Sequence, residues 1–194
     1  MFGLFKEQKM ELSEFIPKFL QTIVTSNVFH DLPKDKFSDD EVKRIHDEIK
    51  LLRYVLFYFF VLDSAREGYI QGLSPEQHPI VDKILDASLK KVFSEAGYSS
   101  QDAILQAEHL KESLSDYKKK VREKTEQEYR DKGYLFVVAY CLARCGYQMP
   151  PERKSDVDPV SKNEGVFDLI NQVYLKMKEA FARTVRNYPV YFGN

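Results

Sequence analysis

Tryptophan is absent, cysteine occurs twice, and glycine and proline number eight each in a chain of 194 residues. Two cysteines, Cys141 and Cys145, are too few for a disulfide framework and fit a reducing compartment. The shortage of glycine and proline excludes collagen-like and low-complexity chains. Neither sign of charge dominates: 29 Lys and Arg stand against 30 Asp and Glu. A balanced chain has no global field to draw it onto nucleic acid or anionic lipid, so no nucleic-acid partner is expected. Glycine-rich phosphate cradles of the Walker or GxGxxG kind are missing, and so are GxSxG and HExxH. Nucleotide-dependent chemistry of the common folds is therefore not expected, and no cofactor is assigned.

Long hydrophobic runs are also lacking. A spanning helix needs about 20 predominantly apolar residues. The greasiest stretch, "LLRYVLFYFFVL" at 51 to 62, follows "KRIHDEIK", precedes "DSARE" and contains Arg53. It is too short to cross a membrane and reads as the spine of a core. The start, "MFGLFKEQKMELSEF", turns charged at Lys6 without the apolar stretch and cleavage site of a secretory signal, so the expected location is cytoplasmic. Phe2, Leu4 and Phe5 offer little anchoring area, and core packing is expected of them rather than membrane contact.

Aromatic residues are plentiful, with 14 Phe and 12 Tyr, and they fall at helical spacing. Ser13 opens a helix whose apolar positions are Phe15, Ile16, Phe19, Leu20, Ile23 and Val24, with Pro17 expected to bend or delay its first turn. From Ser38 to Glu67 the stripe Val42, Ile45, Ile49, Leu52, Leu56, Phe59 recurs three and four apart. Ser38 and Glu41 form a capping box there, and Gly68 is the stop. Ser74 and Pro75 mark the start of a third helix, closed by Gly97. A fourth runs from Ser99 to about Asp131 along Ala107, Leu110, Leu114, Tyr117 and Val121. Its later part carries opposite charges four apart, Asp116/Lys120, Arg122/Glu126, Glu126/Arg130 and Glu128/Lys132, so it is expected to project into solvent or to pair with another chain.

"GYLFVVAYCLARCG", 133 to 146, is a second all-round apolar stretch, read as a short helix bounded by glycine on both sides. A loop with Pro150, Pro151 and Pro159 follows and is the expected mobile segment. Ser161 and Glu164 then open a last helix with Phe167, Ile170, Tyr174, Met177 and Phe181 on one face, ended by Pro189. Strand signals are nearly absent, and "YPVYF" at 188 to 192 reads as a tail packed on the helices. The expected fold is all-α: a single domain over 1–194, a bundle of about six helices with two buried central ones.

The residue types that carry chemistry are few and scattered. His78 and Asp82 share a helix face, but a metal needs at least three convergent ligands, so no metal site is expected. Cys141 and Cys145, one turn apart in a greasy helix, read as small core residues. "KKKVREK" and the cations of the last helix are interrupted by glutamates and read as solvated faces.

The informative groups are polar residues set in apolar helices: Arg53, Tyr54, Tyr58 and Asp63 in the first greasy stretch, Tyr140 and Arg144 in the second. A charge taken out of water costs several kcal/mol unless it is paired, hydrated or facing a ligand. Arg144 and Asp63 are expected to form an ion pair between the central helices, or an Arg to snorkel to the edge; the other reading makes all six residues the lining of a pocket for a small apolar or aromatic ligand. The expected function is a non-enzymatic helical domain acting through protein–protein interaction or self-association, with a homodimer as one form. The alternative is a helical bundle that binds a small apolar or aromatic ligand, as a carrier or as an enzyme, in that Tyr/Arg-lined pocket between the central helices.

Overall fold

The computed structural model describes residues 9–25, 32, 36–122, 126–150 and 161–193, with the backbone alone for 75, 121, 122 and 126–134. The fold is all-α. Among the described residues the helices are α1 (Leu12–Thr25), α2 (Asp39–Arg66), α3 (His78–Glu95), α4 (Ser100–Arg122), α5 (Glu126–Arg144) and α6 (Lys162–Asn187). Three two-residue strands accompany them: β1 (Met10–Glu11), β2 (Ile70–Gln71) and β3 (Val190–Tyr191). The apolar N-terminal "MFGLF", the proline-bearing stretch 151–160 and the side chains of the charged pairs between Arg122 and Lys132 lie outside the described residues.

Local chemistry sets most helix ends. At the start of α2 the Ser38 N–H donates to Glu41 Oε2 at 2.9 Å while the Glu41 N–H donates to Ser38 Oγ at 3.3 Å. The same reciprocal box opens α6, where Ser161 N–H donates to Glu164 Oε2 at 2.6 Å and Glu164 N–H to Ser161 Oγ at 3.2 Å. Beyond α2, Gly68 takes φ +80° and the Tyr69 N–H donates back to the Ser64 carbonyl at 2.8 Å, a left-handed stop that a side chain would strain. Near the other end of the chain, α1 begins at Leu12 and runs through Pro17, so the proline neither delays nor ends the helix. The third helix differs slightly from expectation: Pro75–Gln77 form a 3-10 turn and α3 proper starts at His78.

Two expectations are corrected. Gly133 does not bound a helix; it lies inside α5, which starts at Glu126, so the charged stretch 126–132 belongs to the same rod as the apolar one. A glycine inside a helix costs about 1 kcal/mol, too little to stop one that is otherwise supported. The second correction concerns the tail. Val190–Tyr191 is the middle strand of a three-stranded sheet of order β1-β3-β2, parallel to both neighbours, with Val190 opposite Met10 and Ile70. Two-residue strands carry no readable alternation, and their partners lie far away in sequence.

The chain divides into two compact units. The first comprises Met1–Ser26, Phe57–Lys111 and Lys178–Asn194. In it α1 packs on α3. Phe19 stacks on Phe57 with centroids 4.8 Å apart and planes 6° from parallel, and Phe181 meets Phe15 edge-on at 5.7 Å. Stacked and edge-to-face pairs are the arrangements that ring quadrupoles favour. The small sheet belongs to this unit, with Ile70 and Val190 buried.

The second unit comprises Asn27–Leu56 and Glu112–Met177. Its buried residues include Ile45, Ile49, Leu52, Val138, Leu142, Val166, Ile170 and Val173. Along α2 every residue from 51 to 61 is buried apart from half-buried Phe60. In α5, Val137, Val138, Cys141 and Leu142 are buried, as is Cys145 just past its end, while Tyr140 is half-buried and Ala143 is exposed, so this helix keeps a wet side.

Candidate functional site

A polar constellation lies in the second unit, where the last turn of α5 meets α2 and α4. Arg144 Nε donates to Glu48 Oε2 at 2.7 Å and its Nη2 to Glu48 Oε1 at 3.0 Å, a two-pronged pair from α5 to α2. Asp116 of α4 adds a longer contact, 3.6 Å from Nη1. The guanidinium lies 6.0 Å from the centre of the Tyr117 ring and 5.9 Å from that of Tyr140, and the two rings meet edge-on at 4.8 Å. The hydrogen bonds with Glu48 hold the Arg144 pKa above the ordinary guanidinium range, outweighing the opposing effect of burial. Side-chain exposure is 22% for Arg144 and 14% for Glu48, low enough for a bidentate pair to be effective and too high for a dry interior.

Next to this pair sit the two thiols. Cys141 and Cys145 are fully buried and free, and Cys141 Sγ reaches the Glu48 backbone carbonyl at 3.9 Å. A hydrogen bond with Cys145, followed by burial, holds the Cys141 thiol well above its usual pKa. Tyr117 is buried as well, and desolvation pushes its phenol upward. A protonated thiol is neither a nucleophile nor a metal ligand, so the arrangement supports packing rather than thiolate chemistry. Among the described residues no group of three His, Cys, Asp or Glu side chains converges to hold a metal.

The six residues singled out from sequence fall in different places. Arg144 and Tyr140 come together as described. Arg53 and Tyr54 are buried in the part of α2 that belongs to the second unit, and burial lowers the Arg53 pKa. Tyr58 and Asp63 belong to the first unit. There Tyr58 meets Phe59 edge-on at 5.6 Å, and Asp63 accepts from Arg66 at 2.7 Å near the end of α2. The carboxylate opposite Arg144 is thus Glu48, whereas Asp63 has a neighbour one turn along its own helix. Glu48, Asp116 and Tyr117 escaped selection. Glu48 had a signal: it lies in phase with Ile45 and Leu52, so a carboxylate stood in the buried stripe. Tyr117 was placed on the stripe of α4 as an apolar residue, and Asp116 was read only as the acid of a solvent-facing pair with Lys120.

On the first unit, α4 turns Ala103, Ala107 and Leu110 inward. Its opposite side presents Ile104 and Leu105, 44% and 54% exposed, between exposed Gln101 and Glu108. No described helix is long and apolar enough to cross a membrane. Compared with family models, curated proteins and solved structures, the chain matches none of them.

Proposed function

We propose that this chain is a non-enzymatic helical domain that works by binding another protein or a second copy of itself. The observation that carries the reading is the outer side of α4, where two adjacent branched aliphatic side chains, Ile104 and Leu105, stand in water on a helix whose inner stripe is already buried. An aliphatic pair rimmed by polar residues gains from being covered, and a partner that covers it removes apolar area from water at about 25 cal/mol per Å². The groups with the most reactive potential support the same reading. Arg144 is engaged by Glu48, and the Cys141 thiol is held protonated.

Light scattering over a wide concentration range, together with affinity capture, tests this. The Ile104→Lys, Leu105→Lys double variant is expected to stay folded and to lose the oligomer or the captured partner. A wild-type chain that remains strictly monomeric when concentrated and captures nothing that the variant fails to capture would overturn the proposal.

A further inference from the structure

Within the second unit a single carboxylate serves three segments of chain. Glu41, in the first turn of α2, accepts from the Ser38 N–H at 2.9 Å and from Ser38 Oγ at 3.1 Å. The same carboxylate receives Lys162 Nζ, the first residue of α6, at 3.1 Å on each oxygen. It also accepts from the hydroxyl of Tyr147, just past α5, at 3.2 Å. The cations facing this point are Lys162, whose ammonium also sits 5.2 Å from the centre of the Phe37 ring, and Arg44, whose guanidinium lies against Gly146. Glu41 thus sits in the positive N-terminal end of α2 and is the carboxylate that meets the Lys162 ammonium, while Glu164 serves the first turn of α6.

We propose that Glu41 is a latch with two separable arms, one fastening the turn after α5 through Tyr147 and the other fastening the first turn of α6 through Lys162, both tied to the capped start of α2. Glutamine in place of Glu41 keeps the shape of the capping box, because an amide oxygen accepts the Ser38 N–H as well as a carboxylate does, and it removes the charge that both arms use. Segments held by few exposed polar contacts open locally, ahead of the rest of a domain.

Native-state amide exchange reads the two arms separately. The Tyr147 amide donates to the Leu142 carbonyl at 3.0 Å and the Gly165 amide to the Ser161 carbonyl at 3.0 Å, so each has protection to lose. In Glu41→Gln both amides are expected to exchange about threefold faster, the scale of a partly exposed ion pair. The Val42 amide, bonded to the Ser38 carbonyl at 2.9 Å, is expected to keep its rate. Lys162→Met should speed Gly165 and leave Tyr147 alone; Tyr147→Phe should do the reverse. Unchanged exchange at both sites in Glu41→Gln overturns the latch. So does equal acceleration of Val42, which marks general loosening, or acceleration of Tyr147 in Lys162→Met to the level seen in Glu41→Gln, which removes Glu41 as the shared point.

Discussion

Removing Arg144 leaves Glu48 largely out of water without its cation, and that loss exceeds the net value of the pair itself. Arg144→Leu is expected to lower unfolding stability by about 2 kcal/mol, discounted from the fully buried case because the pair keeps some solvent contact. The double variant Arg144→Leu, Glu48→Leu should recover part of this, since no orphaned charge remains. Urea denaturation of the three chains checks both. A double variant as unstable as Arg144→Leu alone would show that packing, rather than the unpaired carboxylate, sets the loss. Acid tests another residue. Hydrogen bonding to the Ser38 amide and to Lys162 lowers the Glu41 carboxyl from 4.5 to about 2. A depressed carboxyl pKa favours the folded state above the unfolded value, so its contribution is full above pH 4.5 and disappears as the pH falls toward 2. Melting temperature against pH should therefore fall more steeply across that window in the wild type than in Glu41→Gln; parallel curves would deny Glu41 that role. The thiols give a third readout at this scale. Neither Cys141 nor Cys145 is expected to react with a thiol reagent at neutral pH until the chain unfolds, and a rapid native-state burst would contradict their burial.

Helices in this chain are bounded by local signals, and glycines show how differently one residue type behaves within them. Gly68 stands at φ +80°, where an added Cβ meets nothing within 4 Å, so Gly68→Ala is a test of backbone conformation alone and should cost about 1 kcal/mol. Gly165, in the first turn of α6, has ordinary helical φ and also open space around it. Gly165→Ala should therefore stabilise by about 0.5–1 kcal/mol, because alanine loses less entropy on folding. Thermal or chemical unfolding of the two variants should shift in opposite directions; shifts of the same sign would refute the conformational account. Both capping boxes, the Gly68 stop and the α6 stripe were legible because each is written within a few residues. The extent of α5 was not. Gly133 resembled a stop, although an interior glycine is tolerated when its neighbours favour the helix.

At the scale of the whole chain, segments distant in sequence meet in ways no local pattern announces. The three-stranded sheet joins residues near 10, 70 and 190, with Val190 buried at its centre between Met10 and Ile70. Val190→Ala is expected to cost about 2 kcal/mol through lost burial and an unfilled site. Phe181→Ala, in the ring cluster with Phe15, Phe19 and Phe57, should cost about 4 kcal/mol.

The helical fold, the all-α class, the run of buried side chains from 51 to 61 and the two capping boxes were determined by sequence alone, because helical periodicity and helix ends are short-range properties of a chain. Tertiary structure decided the partners: Glu48 for Arg144, Glu41 for both Lys162 and Tyr147, Val190 for Ile70. A buried or half-buried charge announces that it needs a counterpart, but which counterpart it receives depends on how segments roughly a hundred residues apart are brought within about 3 Å, and hydrogen-bond geometry acts only over that range.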